Sequence, residues 1–277
     1  MEMLIVGGSG FLGTELVRRA VTAGHATSAT HSSRPPRDGR HPVAWYRLDL
    51  RNTDQVQRVM AEARPQVVIN ASSGLADWAV TAEGPVRLAL AAARSGSRLI
   101  HVSSDAVFSG RNRLHYDEAQ LPDPITPYGA AKAAAETGVR LVHTDSVVAR
   151  TSLIIGGGQS QHERTVHELA AGTRAGALST DDIRCPIHVT DLAEALLELA
   201  ASDARGIHHL GGADALSRHE LGALIAGRDG LDPSQLPTCL RAESPYPSPL
   251  DVRLDSRVTQ RKLRTRLRGA HEFLGRD

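Results

Sequence analysis

Aromatic residues, cysteine and lysine are scarce in this sequence. Its 277 residues include three Phe, two Trp, four Tyr and two Cys. Cys185 and Cys239 form neither a CxxC pair nor another metal-ligand spacing, so we expect no disulfide framework and no metal. No apolar run approaches the roughly 18 residues of a membrane-spanning helix, and no basic segment followed by a cleavage site opens the sequence. We therefore expect a cytoplasmic protein with reduced thiols.

The sequence also lacks an excess of charge of either sign. Its 32 basic and 31 acidic residues leave a net charge of +1, which gives no reason to expect nucleic acid or an anionic membrane as a partner. Lys132 and Lys262 are the only lysines, so the other basic residues are arginines. We predict that the basic run Arg261–Arg268 is the solvated face of a helix.

Short apolar runs alternate with helical patterns in the first part of the sequence. Strands are predicted at Met3–Val6, Ala26–Thr30, Val43–Leu48, Gln66–Asn70, Arg98–Ser103 and Ser146–Arg150, and helices near 11–24, 53–63, 82–95 and 127–143. Strands without inside/outside alternation, separated by helices, are typical of a parallel sheet covered on both faces. The predicted fold class is therefore α/β, with a doubly wound parallel sheet of the Rossmann type.

The second part of the sequence has a less regular pattern. The predicted elements are helices at 161–171 and from Asp191 to about 201, a strand at Gly206–Leu210, a capping box at Ser217 and Glu220, and a mostly irregular segment at 230–251. Alanine-rich segments at 88–93 and 130–136 are predicted to pack closely on other helices, within the chain or across a homodimer.

A glycine-rich turn joins the first strand to the first helix. Gly7, Gly10 and Gly13 have the spacing that allows a tight turn, close approach of a pyrophosphate and close packing of helix on strand. The amides that open the helix, at Phe11 and Leu12, can then meet negative charge. This context predicts a dinucleotide-binding turn.

The end of the second strand indicates which dinucleotide binds. NAD-binding versions of this turn usually carry an acidic residue there, yet no Asp or Glu lies between Glu15 and Asp38. Ser32 and Arg34 instead supply a hydroxyl and a guanidinium, which suit a ribose 2′-phosphate. We therefore expect NADP(H), with NAD(H) as the less favoured cofactor.

Two further strand ends are expected in the same cofactor site. Asp49 and Leu50 follow the third strand. Asn70 ends the fourth and is followed by Ala71 and Ser72, where small residues leave room for a nicotinamide ribose. Ser73, the next residue, is expected to contact the substrate.

A tyrosine and a lysine lie one turn apart on the helix that Pro127 opens. Tyr128 and Lys132 place a phenol and an ammonium on the same helix face. A compact ammonium can bond a ribose hydroxyl while lowering the pKa of a neighbouring phenol. At the end of the fifth strand Ser103 is expected to point inward, so Ser104 is predicted to bond the substrate oxygen.

Several segments together resemble a known family. GGSGFLG, HVSSDAVFSG, PYGAAK, RTSLIIG, PIHVTDLA and GIHHLGG are similar to the extended short-chain dehydrogenase/reductases, most of all to their dTDP-4-dehydrorhamnose reductase branch. The resemblance implies that Ser104, Tyr128 and Lys132 are catalytic, and that Asp105 contacts the substrate. It also implies a Rossmann domain of residues 1–154 plus 187–211 and a smaller substrate lobe of 155–186 plus 212–277.

The expected activity is NADPH-dependent reduction of a carbonyl, with a 4-keto-6-deoxy sugar nucleotide as the substrate that the resemblance implies. Three alternatives remain open. They are an epimerase or dehydratase of nucleotide sugars that retains NAD, a reductase of a ketone unrelated to sugars, and a cofactor-binding regulatory subunit with little turnover.

Overall fold

The computed structural model of the chain describes residues 1–33, 43–111 and 115–275. Its main sheet consists of β1 (Glu2–Val6), β2 (Ala26–His31), β3 (Ala44–Arg47), β4 (Val67–Asn70), β5 (Arg98–Ser104), β6 (Val147–Thr151) and β7 (Gly206–Leu210). Their order across the sheet is β7-β6-β5-β4-β1-β2-β3. The pairings of β1 with β2 and β4, of β2 with β3 and of β4 with β5 are parallel. The predicted α/β fold class is confirmed.

Helices follow most of these strands. They are α1 (Phe11–Thr22), α2 (Thr53–Ala63), α3 (Gly84–Ser95), α4 (Pro127–Val142), α5 (Gln161–Ala170), α6 (Val189–Ala200), α7 (Arg218–Arg228), α8 (Arg257–Gln260) and α9 (Ala270–Leu274). All four residues of β4 and all five of β6 are buried, as expected for strands covered on both faces.

The chain divides into two compact units. The first comprises Met1–Ser104, Pro127–Ala149 and Ala193–His208, and the second comprises Asp105–Thr126, Arg150–Leu192 and His209–Asp277. A core of the first unit contains Leu4, Val6, Val68, Leu88 and Leu99, among other aliphatic residues. A core of the second contains Leu153, Ile155, Val166, Leu221 and Ile225. The lobe boundaries predicted from the sequence stay a prediction.

The helix predicted from residue 82 begins differently. A π-helical turn, Ala79–Glu83, precedes α3, which starts at Gly84. The hydroxyl of Thr81 donates to the carbonyl of Leu75 (2.9 Å) and accepts from the amide of Gly74 (3.0 Å). These hydrogen bonds of the Thr81 side chain hold the π-helical turn against the preceding loop. The periodicity of apolar residues carries no information about such side-chain bonds, so the sequence did not predict the turn.

The prediction of a helix over Arg261–Arg268 is wrong. Helix α8 ends at Gln260, whose side-chain amide donates to the carbonyl of Thr265 and accepts from the amide of Leu267, both at 2.8 Å. These two hydrogen bonds hold residues 261–267 as a loop beside the end of α8. Arg268 at its end is an ion-pair partner of the buried Asp191, with 2.7 Å between guanidinium and carboxylate.

Three other local predictions are confirmed. Ser217 and Glu220 exchange the two hydrogen bonds of a capping box, at 3.0 and 2.8 Å. The segment 230–251 is mostly irregular, interrupted by two 3-10 turns and a two-residue strand. Helices α3 and α4, which contain the alanine-rich segments 88–93 and 130–136, pack against each other within the chain, and packing across a homodimer stays a prediction.

Candidate active site

The turn after β1 has the shape that its glycines predict. Gly7 has a φ of +80°, and its amide donates to the hydroxyl of Thr30 at 3.0 Å. A Cβ at Gly7 would lie 2.9 Å from the backbone of Ser72, and a Cβ at Gly13 would lie 2.1 Å from the carbonyl oxygen of Gly7. Gly7 thus leaves room for the backbone that follows β4, and Gly13 allows α1 to pack closely on the turn.

Helix α1 presents its first amides at this turn. Its N-cap is Gly10, which supplies no side chain to bond those amides, and its first turn contains no acidic residue. Phe11 is exposed and Leu12 is buried. The positive end of the helix dipole is therefore available to a phosphate.

A cleft of about 710 Å³ in the first unit opens at the turn. Eight residues predicted to contact cofactor or substrate line it: Gly7, Gly10, Ser32, Asp49, Leu50, Ala71, Ser72 and Ser73. Arg34 lies outside the described residues. Asn70 is fully buried and holds the cleft-lining Ser72 in place, since its side-chain oxygen accepts hydrogen bonds from the amide (3.1 Å) and hydroxyl (2.6 Å) of that residue.

Two arginines of the cleft were not predicted from the sequence. Arg51 lies within 3.6 Å of two carboxylates, those of Asp49 and Asp77. Arg47 ends β3 opposite His31 of β2, is exposed, and forms no ion pair within the described residues. Its position at a strand end beside β2 is the signal that could have found it, because strand ends line the cofactor edge of such sheets.

The Tyr128–Lys132 pair lies on α4, which packs against β5 in the same unit. The phenol-bearing residue is half-buried, and the lysine is only 3% exposed. The ammonium donates to the carbonyl of Val102 at 3.0 Å. Burial lowers the pKa of Lys132 to about 8, against the opposing effect of the Glu136 carboxylate. With a pKa this close to neutral pH, a small change in the charge or burial around Lys132 changes the fraction of the lysine that is protonated.

The two serines at the end of β5 take different orientations. Ser103 is buried, as predicted, and its hydroxyl donates to a Glu136 carboxylate oxygen at 2.5 Å. Ser104, the last residue of the strand, is half-buried. The role of Ser104 as the hydrogen-bond donor to substrate stays a prediction, as do the other residue roles.

Two buried groups near the lysine were missed in the sequence. Glu136 follows Lys132 by one helical turn on α4, a spacing visible in the sequence. His101 on β5 is fully buried, and its Nδ1 accepts from the side-chain amide of Asn70 at 3.2 Å. Burial and the charge of Lys132 hold the pKa of His101 well below its usual range, so this imidazole is neutral.

Asp105 begins the second unit, where a polar network holds it. Its carboxylate accepts from the hydroxyl of Ser152 at 2.7 Å and lies 3.6 Å from the guanidinium of Arg184. Arg184 also pairs with Asp182 at 2.8 Å, and all these side chains are buried. The network holds the carboxylate of Asp105 in one orientation.

Two classes of feature are absent from the described parts of the chain. Across residues 1–33, 43–111 and 115–275, no helix has the length and apolar character needed to cross a membrane. In the same ranges no group of three or more His, Cys, Asp or Glu is arranged to hold a metal ion.

Comparison with known proteins bears on this site. The family model described as RmlD substrate binding domain matches residues 1–274. The dTDP-4-dehydrorhamnose reductase of Mycobacterium tuberculosis is 33% identical over 254 residues, which cover 90% of this chain and 82% of that protein.

Solved structures share the fold at lower identity. A dTDP-4-dehydrorhamnose reductase from Bacillus anthracis, in complex with NADP, superposes with a TM-score of 0.82 at 22% identity, covering 98% of this chain and 96% of that one. The UDP-glucose 4-epimerase of Thermus thermophilus, in complex with NAD, gives a TM-score of 0.80 at 21% identity, with 100% of both chains covered.

Proposed function

The chain belongs to the RmlD substrate binding domain family, as its motifs indicated, and on that premise we propose that it reduces a sugar-nucleotide ketone with NADPH. It is an NAD(P)-dependent oxidoreductase of the short-chain dehydrogenase/reductase type. The observation that carries the proposal is the pairing of Tyr128 with a buried, charged Lys132 on one face of α4, in the unit that also contains the glycine-lined cleft.

The cleft fits a dinucleotide with a 2′-phosphate. Uncapped amides at the start of α1 would hold the pyrophosphate, and the small residues Ala71 and Ser72 leave room for a ribose. Ser32 and Arg47 both line the cleft at the ends of β2 and β3, where a 2′-phosphate would lie. The two described residues that directly follow β2, Ser32 and Ser33, are not acidic, and the cleft carboxylates of Asp49 and Asp77 both lie within 3.6 Å of the Arg51 guanidinium.

The residues of the site divide the chemistry as follows. When bound, NADPH supplies a hydride to the carbonyl carbon of the substrate. Tyr128 donates its phenolic proton to the carbonyl oxygen, and Ser104 donates a hydrogen bond to that oxygen. Lys132 donates to a ribose hydroxyl, and its charge favours the phenolate that the proton transfer leaves behind.

We propose a 4-keto-6-deoxy sugar nucleotide as substrate, with dTDP-4-dehydrorhamnose as the first candidate. The relative of highest identity given above carries that name, and the chain matches it over 90% of its own length. Ser73, Ser104, Asp105 and Tyr128 are the residues proposed to contact the substrate. The carboxylate of Asp105, held by Ser152 and Arg184, could accept from a sugar hydroxyl without reorienting.

The test is NADPH oxidation across a panel of carbonyl compounds. We expect turnover with dTDP-4-dehydrorhamnose, less with UDP-linked 4-keto sugars, and none with simple ketones. Turnover with simple ketones alone would contradict the sugar-nucleotide assignment. Tightly held NAD that survives purification, together with epimerisation of a nucleotide sugar, would identify an epimerase instead. NADPH binding without reduction of any compound would favour the regulatory alternative.

A further inference from the structure

The buried polar cluster under the Tyr128–Lys132 pair contains groups to which the mechanism above gives no role. Lys132 and Glu136 are each 3% exposed, on successive turns of α4. A buried ammonium loses its hydration and therefore tends to lose its proton unless an opposite charge lies nearby. The carboxylate of Glu136 is such a charge, and it favours the protonated form of the lysine.

Glu136 is itself held in place from β5. The hydroxyl of Ser103 donates to its Oε1 at 2.5 Å, while the carbonyl of the preceding Val102 accepts from the lysine ammonium at 3.0 Å. Adjacent residues of one strand thus bind the carboxylate and the ammonium of one helix. This arrangement fixes where the lysine charge lies.

We propose that Glu136, oriented by Ser103, is a positioning residue that keeps Lys132 charged and so sets the alkaline limit of the reaction. The inference rests on the proposed function, because it assigns the lysine a working role toward bound cofactor. Glu136 acts through Lys132 and does not contact the reacting atoms.

The other charged and titratable groups around Lys132 do not replace this carboxylate. From β5, His101 is neutral, and its Nε2 is a buried atom without a hydrogen-bond partner in the described parts of the chain. From α4 itself, Tyr128 is one turn away and Arg140 lies two turns away on the exposed surface.

The elements packed against α4 contribute charges that are already engaged or exposed. Glu83 of the π-helical turn and Arg87 of α3 form an ion pair with each other. Arg94 at the end of α3 is exposed. Glu136 is therefore the carboxylate buried beside the ammonium.

The direction of the pH effect follows from these charges. The reaction needs protonated Lys132, so activity falls as pH rises through the pKa of Lys132, which lies at about 8. Removal of the carboxylate lowers that pKa further and moves the loss of activity to lower pH. A nearby opposite charge typically changes a pKa by about 1–3 units, so we expect Glu136→Gln to move the limit by about one pH unit or more.

The scarcity of lysine allows a direct measurement. Selective ¹³C labelling of lysine gives two ε-methylene signals, and Lys262→Arg identifies the signal of Lys132 by removing the other. The full chain is titrated by NMR without substrate, and NADPH affinity is measured over the same pH range. In Glu136→Gln we expect the midpoint of Lys132 and the alkaline loss of NADPH affinity to move down together.

Three variants serve as controls. Ser103→Ala removes the 2.5 Å hydrogen bond but keeps the carboxylate, so it should move the midpoint much less. Glu136→Asp keeps the charge and should restore most of the wild-type midpoint. Glu62→Gln removes an exposed glutamate on α2 and should change nothing.

An unchanged Lys132 midpoint in folded Glu136→Gln would overturn the inference and leave the proposed function standing. A lowered midpoint in a protein that reduces no carbonyl would contradict the proposed function instead, while the effect of Glu136 on the lysine charge would be supported. If Glu136→Gln does not fold, Glu136→Met, which removes the charge without leaving a buried amide, takes its place. A Lys132 midpoint about one pH unit or more below that of Glu136→Asp supports the charge role, and equal midpoints in the two variants overturn it.

Discussion

The third glycine of the turn offers the sharpest test of the cofactor site. In Gly13→Ala the new Cβ would lie 2.1 Å from the carbonyl oxygen of Gly7, about 0.9 Å inside the 3.0 Å that real Cβ contacts respect. That oxygen belongs to the backbone of a turn fixed by the Thr30 hydrogen bond, so α1 must move outward. The first amides of the helix move with it.

The expected loss can be estimated from those amides. Overpacking of this kind costs about 1–3 kcal/mol of stability. The loss of one hydrogen bond to a charged phosphate costs about 1.5–3 kcal/mol of binding, or roughly 10–150-fold in the Kd for NADPH. Gly227→Ala is the control, because its Cβ, on α7 in the second unit, would meet no atom within 4 Å.

The assay is calorimetric titration of NADPH into each variant at a temperature where both are folded, as checked by circular dichroism. We expect Gly13→Ala to bind NADPH at least tenfold more weakly than Gly227→Ala, which should bind like the wild type. Equal affinity of the two variants and the wild type would refute the assignment of this turn to the pyrophosphate.

Two further predictions concern charge. Arg47→Ala should weaken the binding of NADPH about tenfold or more and leave the affinity for NADH unchanged, because it removes a charged hydrogen bond worth about 1.5–3 kcal/mol. Arg51→Ala is the control, because the Arg51 guanidinium already faces two carboxylates. Arg228→Met should cost about 2–3 kcal/mol in urea unfolding, somewhat less than a fully buried pair because Arg228 is partly exposed. Burial raises the pKa of Glu163, but hydrogen bonds from Arg228 and Ser160 outweigh it and hold that pKa below its usual value. The ion pair therefore stabilises the fold at pH values above the pKa of Glu163 in the unfolded chain. The difference in free energy of unfolding between Arg228→Met and wild type should shrink as pH falls through the pKa of Glu163 in the folded protein. A difference that stays constant with pH would contradict this.

The main sheet was predictable because its strands are buried on both faces. The apolar runs around Ile5, Ile69 and Ile100 need no knowledge of distant contacts, and the glycine turn follows from its place after the first strand. The capping box at Ser217 is equally local. A second capping box, at Ser160 and Glu163, has the same Ser-x-x-Glu spacing and could have been predicted.

The features that escaped prediction depend on contacts between segments far apart in sequence. The loop after α8 is closed by the side chain of Gln260, and the arginine at its end pairs with Asp191, 77 residues earlier. Arg47 enters the cofactor cleft only because β3 lies beside β2. The hydrogen bond between Ser103 and Glu136 depends on the packing of α4 against β5, which the sequence pattern does not specify.

The central claim is that Tyr128 supplies the proton while the cofactor supplies hydride to a sugar-nucleotide ketone. The most direct measurement uses NADPH deuterated at both C4 positions of the nicotinamide and follows the mass of the sugar nucleotide with wild type and Tyr128→Phe. We predict that wild type adds one deuterium to dTDP-4-dehydrorhamnose. Tyr128→Phe should bind NADPH normally but transfer deuterium about 10²–10⁴-fold more slowly. Transfer by Tyr128→Phe at the wild-type rate, or no transfer by a wild type that binds NADPH, would contradict the account.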